Sequence, residues 1–106
     1  MISIQTVGNL AADPVERESS KGNKYVTFPI ATDNQNGTIY LSCRAFGINA
    51  KNILQYLKKG NPLHIAGTIS EISTYKAKDD TIKPSCIVSV DRFEFINGRK
   101  NKNDGN

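Results

Sequence analysis

The chain of 106 residues has no tryptophan, one histidine and two cysteines, and each scarcity excludes a class of site. His64 has no cysteine or carboxylate near it at ligand spacing, so we expect a polar surface or interface residue rather than a metal ligand. Cys43 and Cys86 lie in separate alternating segments and form no CxxC pair, which favours buried free thiols over a disulfide or a metal pair.

The sequence also lacks the residue arrangements of catalysis and of membrane insertion. It has no Ser/His/Asp order, no paired carboxylates and no phosphate-binding glycine loop, so we predict that it is not an enzyme and needs no cofactor. No apolar run approaches the ~20 residues that cross a bilayer. The N-terminus has neither the basic region nor the cleavage site of a signal peptide. We therefore expect a cytoplasmic protein without a membrane partner.

What is present is the composition of one small, slightly basic domain. Hydrophobic residues make up 38% of the chain and charged residues 23%, which indicates a packed core rather than disorder. Fourteen Lys and Arg against ten Asp and Glu give +4, a charge that is compatible with a polyanionic partner without being specific for one. We predict that residues 1–97 form the domain and that 98–106 are a short polar, disordered tail.

Hydrophobic periodicity predicts an almost entirely β structure with one helix. The helix is expected over 50–59, with Asn49 as its N-cap, Lys58 and Lys59 favourable at its negative end, and Gly60 as its stop. Alternation predicts strands over 2–8, 24–32, 38–46, 62–75 and 84–96, with a second extended piece at 15–19. Five strands with one helix between the third and the fourth is the arrangement of the oligonucleotide/oligosaccharide-binding (OB) barrel.

Two of these strands carry irregular positions. Pro29 cannot donate a ladder hydrogen bond, so its strand is predicted to be at an edge or irregular there. The alternation changes parity between Ile69 and Ile72, which predicts a β-bulge, and Gly67 fits a bend of the barrel.

The segment 38–46 alternates between two faces of different chemistry. One face is apolar and suits a core, consisting of Ile39, Leu41, Cys43 and Ala45. The other carries two aromatics with a hydroxyl and a cation between them: Tyr40, Ser42, Arg44 and Phe46. Flat aromatics spaced along a strand beside a guanidinium suit stacked bases and a phosphate backbone. The alternative is that both aromatics are buried, for instance at a subunit interface.

Several short motifs lie in order along the chain: Val7-Gly8-Asn9-Leu10 with Asp13-Pro14, Val26-x-Phe28-x-Ile30-Ala31, Tyr40 to Phe46-Gly47, Ala50 with Tyr56-Leu57-x-Lys59-Gly60, and Ile65-x-Gly67. In this order and spacing they resemble the bacterial-type single-stranded DNA-binding protein family across roughly residues 1–97. The resemblance implies an OB barrel that assembles as a homo-oligomer, usually a tetramer, with a dimer as the alternative. It also implies that single-stranded DNA wraps around the assembly and stacks its bases on exposed aromatics.

The resemblance assigns roles to individual residues. Tyr40 and Phe46 fall at stacking positions of the family, and Tyr75 falls one residue from a third. Arg44, between the first two, is expected to contact a phosphate or the face of a base, with Ser42 beside it. Basic residues near the loops are candidates for contact with the DNA backbone, and the alternative is that these loops are only solvated. The candidates are Lys76, Lys78 and Lys83 after Tyr75, and Arg17, Lys21 and Lys24 at the first hairpin. Tyr25 and Tyr56 are predicted to be packing residues.

The chain also departs from the family pattern. Tyr40 stands where an indole is usual, Ile48 stands at a basic position, and Ser70-Glu71-Ile72-Ser73 replaces a stretch that is often rich in arginine. The acidic tail with a hydrophobic tip that recruits repair and replication proteins is absent, because residues 97–106 are polar and slightly basic. We therefore expect a minimal or specialised relative, as from a plasmid, phage or other mobile element, without tail-mediated recruitment of repair proteins.

The sequence thus predicts a module that coats single-stranded DNA with little sequence specificity, in DNA replication, recombination or repair. Stacking on aromatics and neutralisation of phosphates would supply the affinity. Two alternatives stay open. One is an OB-fold adaptor in a replication or primosome assembly, whose aromatic strand packs on a protein. The other is a binder of single-stranded RNA, because stacking does not distinguish the two sugars.

Overall fold

A computed structural model describes residues 1–96 of the chain, so the tail predicted at 98–106 lies outside the described residues. Six strands and one helix follow one another in the order β1 (Ser3–Leu10), β2 (Val15–Glu18), β3 (Lys24–Asn34), β4 (Gly37–Phe46), α1 (Gly47–Tyr56), β5 (Pro62–Lys76) and β6 (Ile82–Phe95). No helix within residues 1–96 is long and apolar enough to span a membrane.

Five of the strands form a closed ring. Their order is β1-β5-β6-β4-β3, and β3 pairs again with β1 through Asn9↔Ala31 and Leu10↔Ile30. All neighbours are antiparallel except β4 and β6, which run parallel over a short stretch from Ser42 to Arg44. This ring, with α1 between β4 and β5 in sequence, confirms the predicted five-stranded all-β OB barrel with one helix.

The short strand β2 continues the line of β1 along the same edge of β3. β1 pairs with β3 at Ile30 and Ala31, and β2 pairs with it from Lys24 to Thr27. Pro29 lies at the break between them, and its carbonyl accepts the N–H of Ala11 at 2.9 Å. Because the missing N–H of Pro29 also faces this break, no bond to β4 is lost, and the predicted irregularity is confirmed.

The core fills the ring and is sealed by the helix. Alternate residues of β3 and β4 point inwards as predicted, with Phe28, Ile30 and Cys43 almost completely buried. One opening of the barrel is closed by Ala50 and Ile53 of α1 and by Leu57 directly after it. The predicted core position of Ile39 is wrong, since its side chain is 47% exposed. Ile39 pairs with Thr32 near the tip of the β3–β4 hairpin, beyond the point where β1 closes the ring.

Strand β5 bends sharply against β6. The register shifts between Ala66 and Gly67 and again between Ile69 and Glu71, which confirms the predicted bulge. A Cβ atom at Gly67 would overlap the carbonyl oxygen of Ser89, so the two backbones approach too closely there for any other residue. The bulges let a strand of 15 residues follow the curved wall of the barrel.

The helix begins and ends three residues earlier than the periodicity predicts. Phe46 is its N-cap residue without a side-chain bond, and Asn49 lies inside the first turn, where its amide donates to the carbonyl of Asp91 at 3.1 Å. At the other end Lys58 N–H donates to Asn61 Oδ1 at 2.7 Å and Lys59 N–H to Asp13 Oδ1 at 2.8 Å. These side-chain acceptors hold the chain after the helix in a separate turn. The predicted positions of Asn49 as the N-cap, of Lys58 and Lys59 in the last turn, and of Gly60 as the stop are therefore wrong.

Candidate nucleic-acid interface

The outward side of strands β2, β3, β4 and β6 forms one continuous surface, which we call the outer face. Residues directly opposite each other on paired strands share a face. The register therefore aligns three rows across the sheet, namely Arg17–Tyr25–Phe46, Val15–Thr27–Arg44–Ser89 and Pro29–Ser42–Ile87. Tyr40, two positions before Ser42 on β4, belongs to the same face.

Two aromatic rings and a guanidinium meet at one end of the outer face. The rings of Tyr25 and Phe46 are stacked, with centroids 5.5 Å apart and planes inclined by 28°. The guanidinium carbon of Arg44 lies 6.0 Å from the centroid of Tyr25, within the range of a cation–π contact. Phe46 remains 49% exposed, so this stack presents a flat apolar surface to solvent beside a fixed positive charge.

Tyr40 occupies the other end of the same strand. Its side chain is 66% exposed, and it pairs with Ala31, which is too small to cover it. It lies six positions before Phe46, so the Cα atoms of the two residues are roughly 20 Å apart along the strand. The alternative that both aromatics are buried does not hold within this protomer, since the structure exposes both.

A shallow groove of about 650 Å³ lies on the outer face beside Tyr25. Its polar lining comes from four strands and from the β1–β2 connection, namely Arg17, Thr27, Ser42, Arg44, Ser85 and the carboxylate-bearing Asp13. Arg17 Nε donates to Thr27 Oγ1 at 3.3 Å, which holds its guanidinium along the sheet. Hydroxyls and guanidinium groups in an open groove can bind phosphates and base edges without excluding water.

Tyr75 stands on a hairpin that extends beyond the ring. β1 pairs with β5 only as far as Thr68, and β4 pairs with β6 only from Ile87, so residues 70–86 form a two-stranded arm. Tyr75 is opposite Lys83 on this arm and is 53% exposed. Both share a face with Ser85 and Ile87, and therefore with the outer face.

The lysines predicted to contact the DNA backbone lie in different surroundings. Lys76 is opposite Ile82 on the other face of the arm, and its Nζ lies 3.4 Å from Asp80 Oδ1. Lys78 is in the turn at the tip of the arm. Lys24 is opposite Glu18 and has the inward parity of Val26, yet it lines a cleft with Tyr25 and Phe46 at the end of the outer face. The structure thus brings Lys24 to the aromatic stack and sets Lys76 apart from it.

Two titratable groups near the outer face have shifted pKa values. Burial, followed by the nearby Cys86 thiol, raises the pKa of Cys43 to about 12, so its thiol stays neutral under Arg44. Hydrogen bonds from the side chain and then the backbone of Thr81 lower the pKa of Asp79 at the tip of the arm. A carboxylate there keeps negative charge close to Lys78, which reduces the attraction of the tip for phosphates.

Within residues 1–96 no three His, Cys, Asp or Glu side chains gather as metal ligands. His64 is half-buried on β5, and its Nδ1 lies 3.5 Å from Glu94 Oε1. Cys43 and Cys86 are free thiols, Cys43 buried as predicted and Cys86 half-buried.

The sequence did not identify Tyr25 as a member of the aromatic end, and it indicated Arg17 only as a candidate for backbone contact at the first hairpin. Tyr25 was predicted to be a packing residue, and it does pack, but against the exposed ring of Phe46. The only signal in the sequence was the outward parity of Tyr25 relative to Val26 and Phe28. Its partner depends on the pairing register between β3 and β4, which alternation within one strand does not define.

Comparisons with known proteins agree with the fold. The family model described as "Single-strand binding protein family" matches residues 1–96. A protein of Onion yellows phytoplasma named "Single-stranded DNA-binding protein" is 32% identical over 91% of this chain and 94% of its own length. One of the same name from Chlamydia caviae is 37% identical over 84% of this chain, which spans only 57% of that relative.

A solved structure has the same architecture. The small single-stranded DNA-binding protein from Streptomyces coelicolor superposes with a TM-score of 0.74, over 93% of this chain and 97% of the other. The two sequences are 22% identical, so the likeness concerns the fold.

Proposed function

The chain belongs to the single-strand binding protein family, and on this basis we propose that it binds and coats single-stranded DNA through its outer face. The observation that carries the proposal is the pair of exposed aromatics, Tyr40 and Phe46, on one strand with Arg44 between them. Solvent-exposed rings cost solvation unless a ligand covers them, and bases stack on such rings with little regard to sequence.

In this proposal each part of the outer face has a role. Tyr40 and Phe46 stack bases, Ser42 and Arg44 bind the backbone between them, and Tyr75 on the arm adds a third stacking surface. Residues 1–97 act as the binding domain, with Lys24 at one end and the arm at the other, where Lys78 lies at the tip and Lys76 faces away from the bound strand. The binding is neither catalytic nor dependent on a cofactor, and it serves replication, recombination or repair in the cytoplasm.

We further propose that the protein assembles as a homo-oligomer, with a tetramer favoured over a dimer. Two features of β1 support this. Within the described residues β1 pairs with β3 only at Asn9 and Leu10, and the carbonyl of Val7 accepts from Thr32 Oγ1 at 3.0 Å, which leaves the edge from Ser3 to Thr6 uncovered on that side. The side chain of Val7, next to this segment, is 55% exposed. A second copy of the chain would cover both the strand edge and the apolar side chain.

The experiment that tests the function is a titration of a labelled dT oligonucleotide, of the matched duplex and of the matched RNA. The proposal expects single-stranded DNA to bind most tightly. Preference for the duplex would overturn it, and preference for RNA would reassign the ligand. If no nucleic acid quenches the tyrosine fluorescence, the outer face is instead the contact of a protein adaptor.

The stacking assignment is tested with two double variants of the same chemistry. Tyr40→Ala with Phe46→Ala removes a tyrosine and a phenylalanine from the outer face. Tyr56→Ala with Phe95→Ala removes another such pair, which are exposed and in edge contact at 6.1 Å outside that face. Stacking contributes roughly 1–3 kcal/mol per base, so the first variant is expected to lose at least about 30-fold in affinity and the control less than about 3-fold. Equal losses would refute the stacking role.

A further inference from the structure

Beyond the groove described above, a separate cleft of about 530 Å³ lies where β3 begins and β4 ends. It is formed by the Ser19–Asn23 turn, by Lys24, and by the stacked side chains Tyr25 and Phe46 with Arg44. Its size falls within the range of sites that hold small ligands. It combines a flat aromatic wall, two cations and a polar rim.

We propose that this cleft is a nucleotide site in which Tyr25 and Phe46 act together as one stacking platform for a single base. The inference rests on the proposed function and adds to it a residue, Tyr25, and a defined place for one nucleotide of the bound strand. The cations Lys24 and Arg44 bind the phosphates on either side of that nucleotide.

The geometry of the two rings carries the platform. Centroids 5.5 Å apart leave no room for a base between the rings, so a base must lie over the outside of the pair. Tyr25 supports Phe46 from one side and is itself contacted by Arg44. The ring of Phe46 is therefore held in place before the ligand arrives, which reduces the ordering cost of binding. In a chain without tryptophan, a base therefore stacks on the outer face of one ring that the second ring supports from behind.

The rim of the cleft can contact the edge of the stacked base. The turn is closed by backbone groups of Asn23, whose N–H donates to Ser19 Oγ at 3.1 Å and whose carbonyl accepts from Ser19 N–H at 2.8 Å. The side-chain amide of Asn23 is thus not used to hold the turn. It provides both a donor and an acceptor, the groups that a base presents on its own edge.

The test measures dT binding by the full chain with Tyr25→Leu, Phe46→Leu and the double variant. One platform predicts that each single change weakens binding on the order of 5- to 50-fold, and that the double variant loses less than the product of the two. Tyr25→Phe keeps the ring and is expected to bind within about 2-fold of the wild type. Tyr56→Leu, the same change at an exposed tyrosine outside the cleft, is the matched control.

The outcomes distinguish failure of the nucleotide site from failure of the proposed single-strand binding. Failure of the wild-type chain to bind single strands would remove the proposed function itself. Wild-type affinity for Tyr25→Leu with weakened Phe46→Leu would leave the function intact and make Tyr25 a packing residue only. Should Tyr25→Leu fail to fold in a thermal melt, Asn23→Ala replaces it. That variant is expected to alter the ratio of dA to dT affinity while Lys21→Ala in the same turn does not, and an unchanged ratio would overturn the site.

Discussion

At the scale of single residues, Cys43 shows how the core and the outer face share one strand. Its thiol points into the barrel and is almost completely buried, whereas the next residue, Arg44, points outwards. Burial raises the pKa of Cys43 to about 12, so its neutral form is favoured in the folded state. A neutral buried thiol is a small hydrophobic side chain rather than a nucleophile.

We therefore expect Cys43 in the native protein to resist thiol reagents at pH 8, and to react only as fast as the barrel opens. The Cys86→Ala variant isolates this thiol, and labelling with and without denaturant measures it. The sign of the pH effect follows from linkage. The folded pKa lies above the unfolded value of 9.0, so this contribution to stability is complete below pH 9 and is lost as pH rises towards 12. Rapid native labelling of Cys43 would contradict the burial.

Single residues also show what alternation can and cannot predict. The faces of β4 follow from a period of two, so Tyr40, Ser42, Arg44 and Phe46 could be placed together from the sequence. The same rule misplaced Ile39, because a residue of inward parity is buried only where another strand covers it. That cover depends on where the ring closes, and no local pattern contains this information.

At the scale of elements, the arm formed by residues 70–86 has two unlike sides. Tyr75 and Lys83 lie on the side that continues the outer face. Lys76 lies on the other side and is 3.4 Å from Asp80, an exposed pair that contributes little to stability. The arm is thus expected to bind a strand on one side only.

This sidedness predicts different effects for one chemical change at two neighbouring lysines. Lys83→Gln is expected to weaken binding to dT and to lower the magnitude of the salt slope by about 0.7, the value for one phosphate of a single strand. Lys76→Gln is expected to change the slope by much less, and neither variant should shift the melting temperature appreciably. Titrations at several salt concentrations measure both. A larger loss for Lys76→Gln would place the strand on the opposite side of the arm.

Elements were predicted most accurately where their own pattern defines them. The bulge of β5 could be predicted because it changes the parity of apolar residues within the strand. The predicted limits of the helix were three residues too late, because the true limits depend on partners distant in sequence. Asp13 Oδ1, for example, accepts a hydrogen bond from the N–H of Lys59, 46 residues away. Such long-range caps leave no trace in helical periodicity.

At the scale of the whole molecule, closure of the ring places the exposed aromatics of the proposed site and three cations on one surface. β4 is the central strand of that surface, with β3 on one side and β6 on the other. The net charge of +4 is small, so overall charge would attract a polyanion only weakly. Affinity must then arise from where the cations stand, and three of them, Arg17, Arg44 and Lys83, share the face that carries the aromatics.

This distribution predicts that the affinity for single-stranded DNA depends moderately on salt, and that a large part of the binding free energy does not depend on salt. If each of these three cations and Lys24 at the aromatic end neutralises one phosphate, the slope of log K against log salt is about −3 per protomer, since each phosphate of a single strand contributes about −0.7. Stacking is insensitive to salt, so binding should remain measurable at about 1 M salt, where exposed charges are screened within ~3 Å. Titrations from low to high salt, with light scattering to count the protomers, measure both terms. A slope near zero would mean that the arginines do not contact the backbone, whereas complete loss of binding at high salt would mean that the exposed rings do not stack bases.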